Sequence, residues 1–372
     1  MAPQPLQHIQ LDDELYFVNR PGARFTYARP GEYAIPVTYN AWGFRGPIPV
    51  PDPPPGTMRI VLLGDSQTEG LQVRLDETYG SVLQRNLERL LPGRRFEVVN
   101  LAVSAYGTHQ EVLTLKRYGA RIRPDWVVLG FYPGNDLSDN LSLPLIAEDA
   151  SGGVRLVSHH FSLSHRVTLG IKIWMASVSH AYTFFAPRLK EVLSAPWLAK
   201  VGLIEPVRPS IRPSQVGSGS SPPRAYRITD ELIRMARAEA RQLDAEFAVL
   251  TIPSKTQVLQ PGSVSGADDM DRLESDFVLS FEGGGILHLE ALAPLRQSQQ
   301  GGAAPYFRLD GHLNAIGHRV VGEMLARWLA PRLLENGRPR SPGEVPRRPR
   351  RDASAPAQYT SDGSVEERTR TK

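Results

Sequence analysis

Residues 59–64, RIVLLG, form an apolar run behind a single arginine that ends at a glycine. A strand with one face in water alternates apolar and polar residues, so a run without alternation needs cover on both faces. The same signal returns at FEVVNLAV (96–103), DWVVLGFY (125–132) and EFAVLTIP (246–253), and GILHLEAL (285–292) is a candidate fifth strand. Between these runs the period changes to that of a helix. Residues 77–91 place Tyr79, Leu83, Leu87 and Leu90 on one face, and Thr108 with Glu111 suggests a capping box for a helix through about residue 119. Helices are also expected at 229–244 and at AIGHRVVGEMLARWLA, 315–330. Strands alternating with helices predict a three-layer α/β/α sandwich around a central parallel sheet. Such sheets bind ligands at the carboxyl ends of their strands.

Three stretches stand outside the alternation. Residues 1–57 are short, proline-rich extended pieces closing with PVPDPPPG, and are expected to form an N-terminal cover on the main domain at 58–335. Residues 140–228 are an insertion between the third and fourth strands, with apolar helical segments around 163–204 and a run, RPSQVGSGSSPPR, of loop composition. Its position beside the carboxyl edge of the sheet suits a lid or a structural subdomain equally. Residues 336–372 are rich in Pro, Ser and charge, and too poor in apolar residues to fold alone.

That last segment also disposes of a nucleic-acid reading. It holds nine Lys/Arg against five Asp/Glu, which is the whole net charge of +4, so residues 1–335 are balanced. The basic character therefore reads as a disordered tail, and no nucleic-acid partner is expected. The absence of cysteine in the 372 residues excludes disulfides, thiolate chemistry and cysteine-based zinc sites. The most apolar stretch, VTLGIKIWMASVSHAYTFF, is broken by Lys172 and His180, so no integral membrane segment is expected. The N-terminus lacks the basic and apolar regions of a signal peptide, which makes a cytoplasmic location the default expectation.

The chemistry gathers at the strand ends. The first strand runs into Gly64-Asp65-Ser66, the second into NLAVSAYGT with Asn100, Ser104 and Ala105, and the third into PGNDL with Asn135. The last helix is preceded by FRLDGHLN, which sets Asp310 and His312 two residues apart. If the strands are neighbours, a hydroxyl, an imidazole, a carboxylate and an amide converge from four distant segments, the set that acyl transfer through a serine requires. Taken alone, Ser66 would more simply cap the following helix.

Together these segments resemble the signature blocks of the SGNH hydrolase superfamily, the GDSL-type esterases and lipases. GDSQTEG is similar to the first block, NLAVSAYGTHQE to the second, GND to the third and DGHLN to the fifth, over about residues 58–333 with the insertion between. VTYNAWGFRG (37–46) is similar to a lead-in found in a bacterial subgroup. The resemblance implies an ester hydrolase with Ser66 as nucleophile, His312 as base and Asp310 orienting it. It further implies an oxyanion hole from the N–H groups of Ser66 and Ala105 and the side chain of Asn135, with no cofactor and no metal. The implied substrate is a small-molecule or glycan ester, with a short acyl group on a sugar or other small alcohol. An O-acyltransferase with the same triad and a non-catalytic glycan- or lipid-binding relative are the alternatives. Two positions depart from the family pattern. Ala105 stands where glycine is usual, and Asp310-Gly311-His312 is one residue shorter than the common Asp-x-x-His. Outside these blocks, His318 reads as structural and ADDMD (267–271) as a solvated loop.

Overall fold

The computed structural model describes residues 8–149, 153–162, 167–168, 224–259 and 276–335. They belong to one compact unit, Met1–Pro339; the other, Arg340–Lys372, lies outside the described residues, as do the expected tail and ADDMD.

Two antiparallel hairpins come first, β1 (Ile9–Asp12) with β2 (Tyr16–Asn19) and β3 (Arg24–Arg29) with β4 (Tyr33–Thr38). The main alternation follows: β5 (Thr57–Gly64), α1 (Ser66–Glu69), α2 (Tyr79–Leu90), β6 (Arg95–Asn100), α3 (Thr108–Ile122), β7 (Trp126–Phe131) and α4 (Pro133–Ser142). A small hairpin, β8 (Ile146–Glu148) with β9 (Val154–Leu156), opens the insertion. Its expected helices around 163–204, and with them the lid reading, fall almost entirely outside the described residues. The chain resumes with α5 (Arg224–Gln242), β10 (Glu246–Thr251), α6 (Lys255–Leu259), β11 (Leu287–Glu290), α7 (Leu292–Gln300) and α8 (Ala315–Glu335).

The central sheet has the order β11-β10-β7-β5-β6 and every pairing is parallel. The unbroken apolar runs have the explanation their pattern demands. Ile60, Val61, Leu62 and Leu63 are all 0% exposed. Ile60 and Leu62 point to one core with Leu83 and Leu87 of α2 and Leu325 and Leu329 of α8. Val61 and Leu63 point to the other, with Val112 and Leu115 of α3 and Ile233 and Ala236 of α5. Each side chain of this size that leaves water contributes roughly 1.5–3 kcal/mol, so both helical layers are needed to hold β5.

Two local expectations are corrected. Leu90 is exposed, and Leu91 is buried in its place, because the i, i+4 series from Tyr79 through Leu83 and Leu87 ends at residue 91. The capping box of α3 is shifted by one residue. Thr108 is already helical, Gly107 is the cap, and Gln110 Oε1 accepts from the Gly107 N–H at 3.3 Å. Glu111 is instead fully buried, without a partner for either oxygen among the described residues.

The chain runs from β5 outward to β6, returns across to β7 and continues to β10. The carboxyl ends of β5 and β7 therefore flank the point where the strand order reverses, the usual crevice of an open α/β sheet.

Candidate active site

Gly64 closes β5 and allows the chain to turn sharply into α1. Its φ is +152°, and a Cβ there would lie 2.2 Å from Thr68 Oγ1. Thr68 occupies the space above Gly64 and its paired neighbour Gly130 on β7, and its hydroxyl bonds Tyr79 Oη at 2.9 Å. Bulkier residues at either glycine would lift α1 off the sheet end.

The cap of α1 is Asp65, whose Oδ1 accepts from the Gln67 N–H at 2.9 Å. Ser66 is not the cap. It is the first helical residue, half-buried, and its hydroxyl lies 2.8 Å from His312 Nε2. The other ring nitrogen, Nδ1, makes a very short contact with Asp310 Oδ1, which also accepts the His312 backbone N–H at 3.0 Å. The two-residue spacing thus closes as one tight turn in which a single carboxylate oxygen serves both groups. Burial alone would raise the Asp310 carboxyl, but bonds from His312 and Tyr33 outweigh it and hold the group well below the usual carboxylate range.

Ala105 follows β6 in a tight turn closed by a Tyr106 N–H to Val103 O bond of 3.1 Å. Its φ is +65°, a left-handed conformation that glycine adopts freely and alanine at a cost of about 1–2 kcal/mol. The turn retains the backbone path of a glycine, and Ala105 is exposed. Neither the Ser66 nor the Ala105 N–H has an acceptor among the described residues. Asn135, in the first turn of α4, donates through Nδ2 to Asp65 Oδ2 at 3.1 Å, which leaves its second amide hydrogen free to meet another acceptor. Asp65 therefore does two jobs: it caps α1 and aims Asn135. Burial pushes its carboxyl up, against the bonds from Gln67 and Asn135.

Three further side chains, none of them among the expected site residues, hold the site together. Glu69, at the end of α1, is buried and collects Asn19 Nδ2 (3.1 Å) and Tyr39 Oη (2.8 Å) on one oxygen, and Ser104 N–H (2.7 Å) and Oγ (2.5 Å) on the other. It fastens the Ala105 turn to α1 and to the N-terminal segment. Tyr33 and Arg29, from the tip of the β3–β4 hairpin, both reach Asp310 Oδ2. The acid three residues after Ser66 was a readable signal for Glu69, whereas the hairpin contacts span 277 and 281 positions of sequence. His318 accepts from the Tyr79 N–H through Nδ1 within the core, and the buried His109 faces Asn140 Oδ1 at 3.1 Å.

Among the described residues no three His, Cys, Asp or Glu side chains are placed to hold a metal ion, and no helix is long and apolar enough to cross a membrane. No curated protein sequence matches the chain at a significant level. Solved structures similar to it include TesA, at 14% identity and TM-score 0.40 over 74% of this chain and 99% of that one. A GDSL-like lipase from Bacteroides thetaiotaomicron is similar at 10% identity and TM-score 0.38, over 74% and 89%. A catalytic mutant of an acetylxylan esterase from Geobacillus stearothermophilus is similar at 14% identity and TM-score 0.39, over 73% and 93%. The model of the GDSL-like Lipase/Acylhydrolase family matches residues 62–320, most of the chain, and the protein belongs to that family.

Proposed function

We propose that the protein hydrolyses carboxylic esters through an acyl-serine intermediate on Ser66. The observation that carries this reading is the continuous line Ser66 Oγ, His312 Nε2 at 2.8 Å, and His312 Nδ1 on Asp310. A serine hydroxyl is barely nucleophilic at neutral pH and needs a base at hydrogen-bond distance. In the first half-reaction Ser66 Oγ bonds the ester carbonyl carbon while its proton passes to His312 Nε2. The carbonyl oxygen becomes an anion facing the N–H groups of Ser66 and Ala105 and the free amide hydrogen of Asn135. As the intermediate collapses, the carbon–alkoxide bond breaks and His312 returns its proton to the leaving alcohol. Water then repeats the sequence and releases the acid. Asp310 keeps the ring in the tautomer with Nε2 unprotonated and balances the imidazolium. Each oxyanion donor is worth roughly 10²–10³ in turnover.

The substrate class we infer is a short acyl ester, acetyl first among the candidates, of a sugar or other small alcohol, in line with the family resemblance. The test is a chain-length panel of chromogenic esters, with and without added polyol, on wild type and Ser66→Ala. Turnover that falls with acyl length and vanishes in Ser66→Ala is expected. Acyl appearing on the polyol in preference to water would make the protein a transferase. No turnover across the panel would leave a binding protein.

A further inference from the structure

Because Asp310 and His312 share one tight turn, Oδ1 of Asp310 is committed twice, to the His312 N–H and to its ring. The turn itself offers nothing to Oδ2. The partner comes from the β3–β4 hairpin: the Tyr33 hydroxyl donates to Oδ2 at 2.6 Å, and Arg29 Nη1 donates to the same oxygen at 3.3 Å. Arg29 and Tyr33 are the last facing pair of that hairpin, with Pro30-Gly31-Glu32 as the connection. The tip is seated by more than one bond. Glu32 Oε1 accepts from the Leu309 N–H at 2.5 Å. The Tyr33 ring meets Phe307 edge-on with centroids 5.0 Å apart and stacks on Tyr27 at 5.8 Å. Lys255 Nζ grips the same loop through the carbonyls of Phe307 and Arg308, both at 2.6 Å, so it holds the backbone and leaves the carboxylate to Tyr33.

We propose that Tyr33 is a positioning residue for the hydrolytic reaction: its hydroxyl locks the Asp310 carboxylate in the orientation that presents Oδ1 to His312, with Arg29 as a second, longer donor. This rests on Asp310 being the carboxylate that orients His312. The final torsion of an aspartate side chain is broad, so bonds to one oxygen leave the carboxylate free to tilt. A short O–H···O⁻ bond on the other oxygen removes that freedom, and charge-assisted bonds are the ones strong enough to do so. The N-terminal hairpin is thereby a working part of the site and not only a cover.

The test is a four-member cycle of wild type, Tyr33→Phe, Asp310→Asn and the double variant, assayed with a chromogenic acetyl ester. Reactive Ser66 is counted by fluorophosphonate labelling, so that kcat refers to competent protein only. Tyr33→Phe keeps both ring contacts and removes one oxygen. It is expected to lower kcat about ten-fold and leave KM within about two-fold, since the hydroxyl acts on the base and not on the substrate. In the Asp310→Asn background the same substitution should change kcat by less than about two-fold, because two residues acting through one group are not additive. A ten-fold loss that persists in the Asp310→Asn background, or wild-type kcat in Tyr33→Phe, would overturn the proposal and leave the triad standing. Wild-type kcat in Asp310→Asn would instead remove the triad reading itself.

Discussion

The two sides of Ser66 are held by opposite means. On the side of the proposed base, His312, the grip is open and ionic. His312 keeps 26% of its side chain exposed, and Asp310 reaches it from the same short turn while Tyr33 and Arg29 hold the other carboxylate oxygen. On the side of the proposed oxyanion hole the grip is dry. Glu69 is buried with four donors converging on its two oxygens, and the Ala105 turn hangs from it. Removing any one of these donors strands a buried polar atom, so a single change on that side is costly. The base side is expected to lose less when one contact goes. Both sides draw on residues 8–46, which makes the N-terminal segment common to the two halves of the site.

The comparison breaks most visibly at Glu69. Glu69→Gln keeps the shape but places an NH₂ group against either the Ser104 N–H or the pair Asn19 and Tyr39. We expect kcat to fall about 10²-fold, the worth of one oxyanion donor, and stability to fall by about 1–3 kcal/mol from unsatisfied buried groups. Denaturant titration and ester turnover on the same preparation check both. Tyr33→Phe, on the open side, should cost about ten-fold in kcat with no comparable loss of stability.

Acid should separate the sides in another way. Two residues before Glu111, on the helix that follows the Ala105 turn, His109 is buried and its pKa is pushed down to about 4 by loss of solvation, against its bond to Asn140 Oδ1. The unfolded chain binds that proton near pH 6.5 and the folded chain does not, so stability is complete above 6.5 and declines as the pH falls toward 4. The contribution lost is on the order of 3 kcal/mol. Asp310, held below the usual range, stays ionised across this window. Thermal melts from pH 7 to 4 should fall steeply in wild type and less steeply in His109→Gln. The smallest effect is expected at Ala105. Ala105→Gly relieves the left-handed backbone and should raise stability by about 1 kcal/mol with kcat unchanged or higher. A loss of stability there would mean that the turn is shaped by the methyl group.

How much of this was readable in the sequence follows the range of the interactions. The sheet was legible because burial on both faces writes itself into each strand, as at Ile60–Leu63, with no reference to distant residues. The strand-end motifs were legible for the same reason: Gly64, Ser66, Asn135 and His312 sit at fixed places on their own elements. The cap of α3 was misread by one residue because Gly107 and Gln110 satisfy the helix end without the side chain at Thr108. Tyr33 and Arg29 could not be found, since nothing in RFTYARPGEYAIPVT indicates which loop lies under the hairpin tip. Glu69 lay in plain view in GDSQTEG, but its four donors come from three separate segments.

The central claim is that Ser66 carries the acyl group. A stopped-flow burst with a chromogenic acetyl ester, followed by acid quench and peptide mass analysis, tests it directly. The account predicts a burst approaching one equivalent of released alcohol where deacylation is the slower step. It predicts an acetyl mass on the peptide containing Ser66, and loss of both in Ser66→Ala. Acetyl found on another residue, or turnover that survives Ser66→Ala, would contradict it.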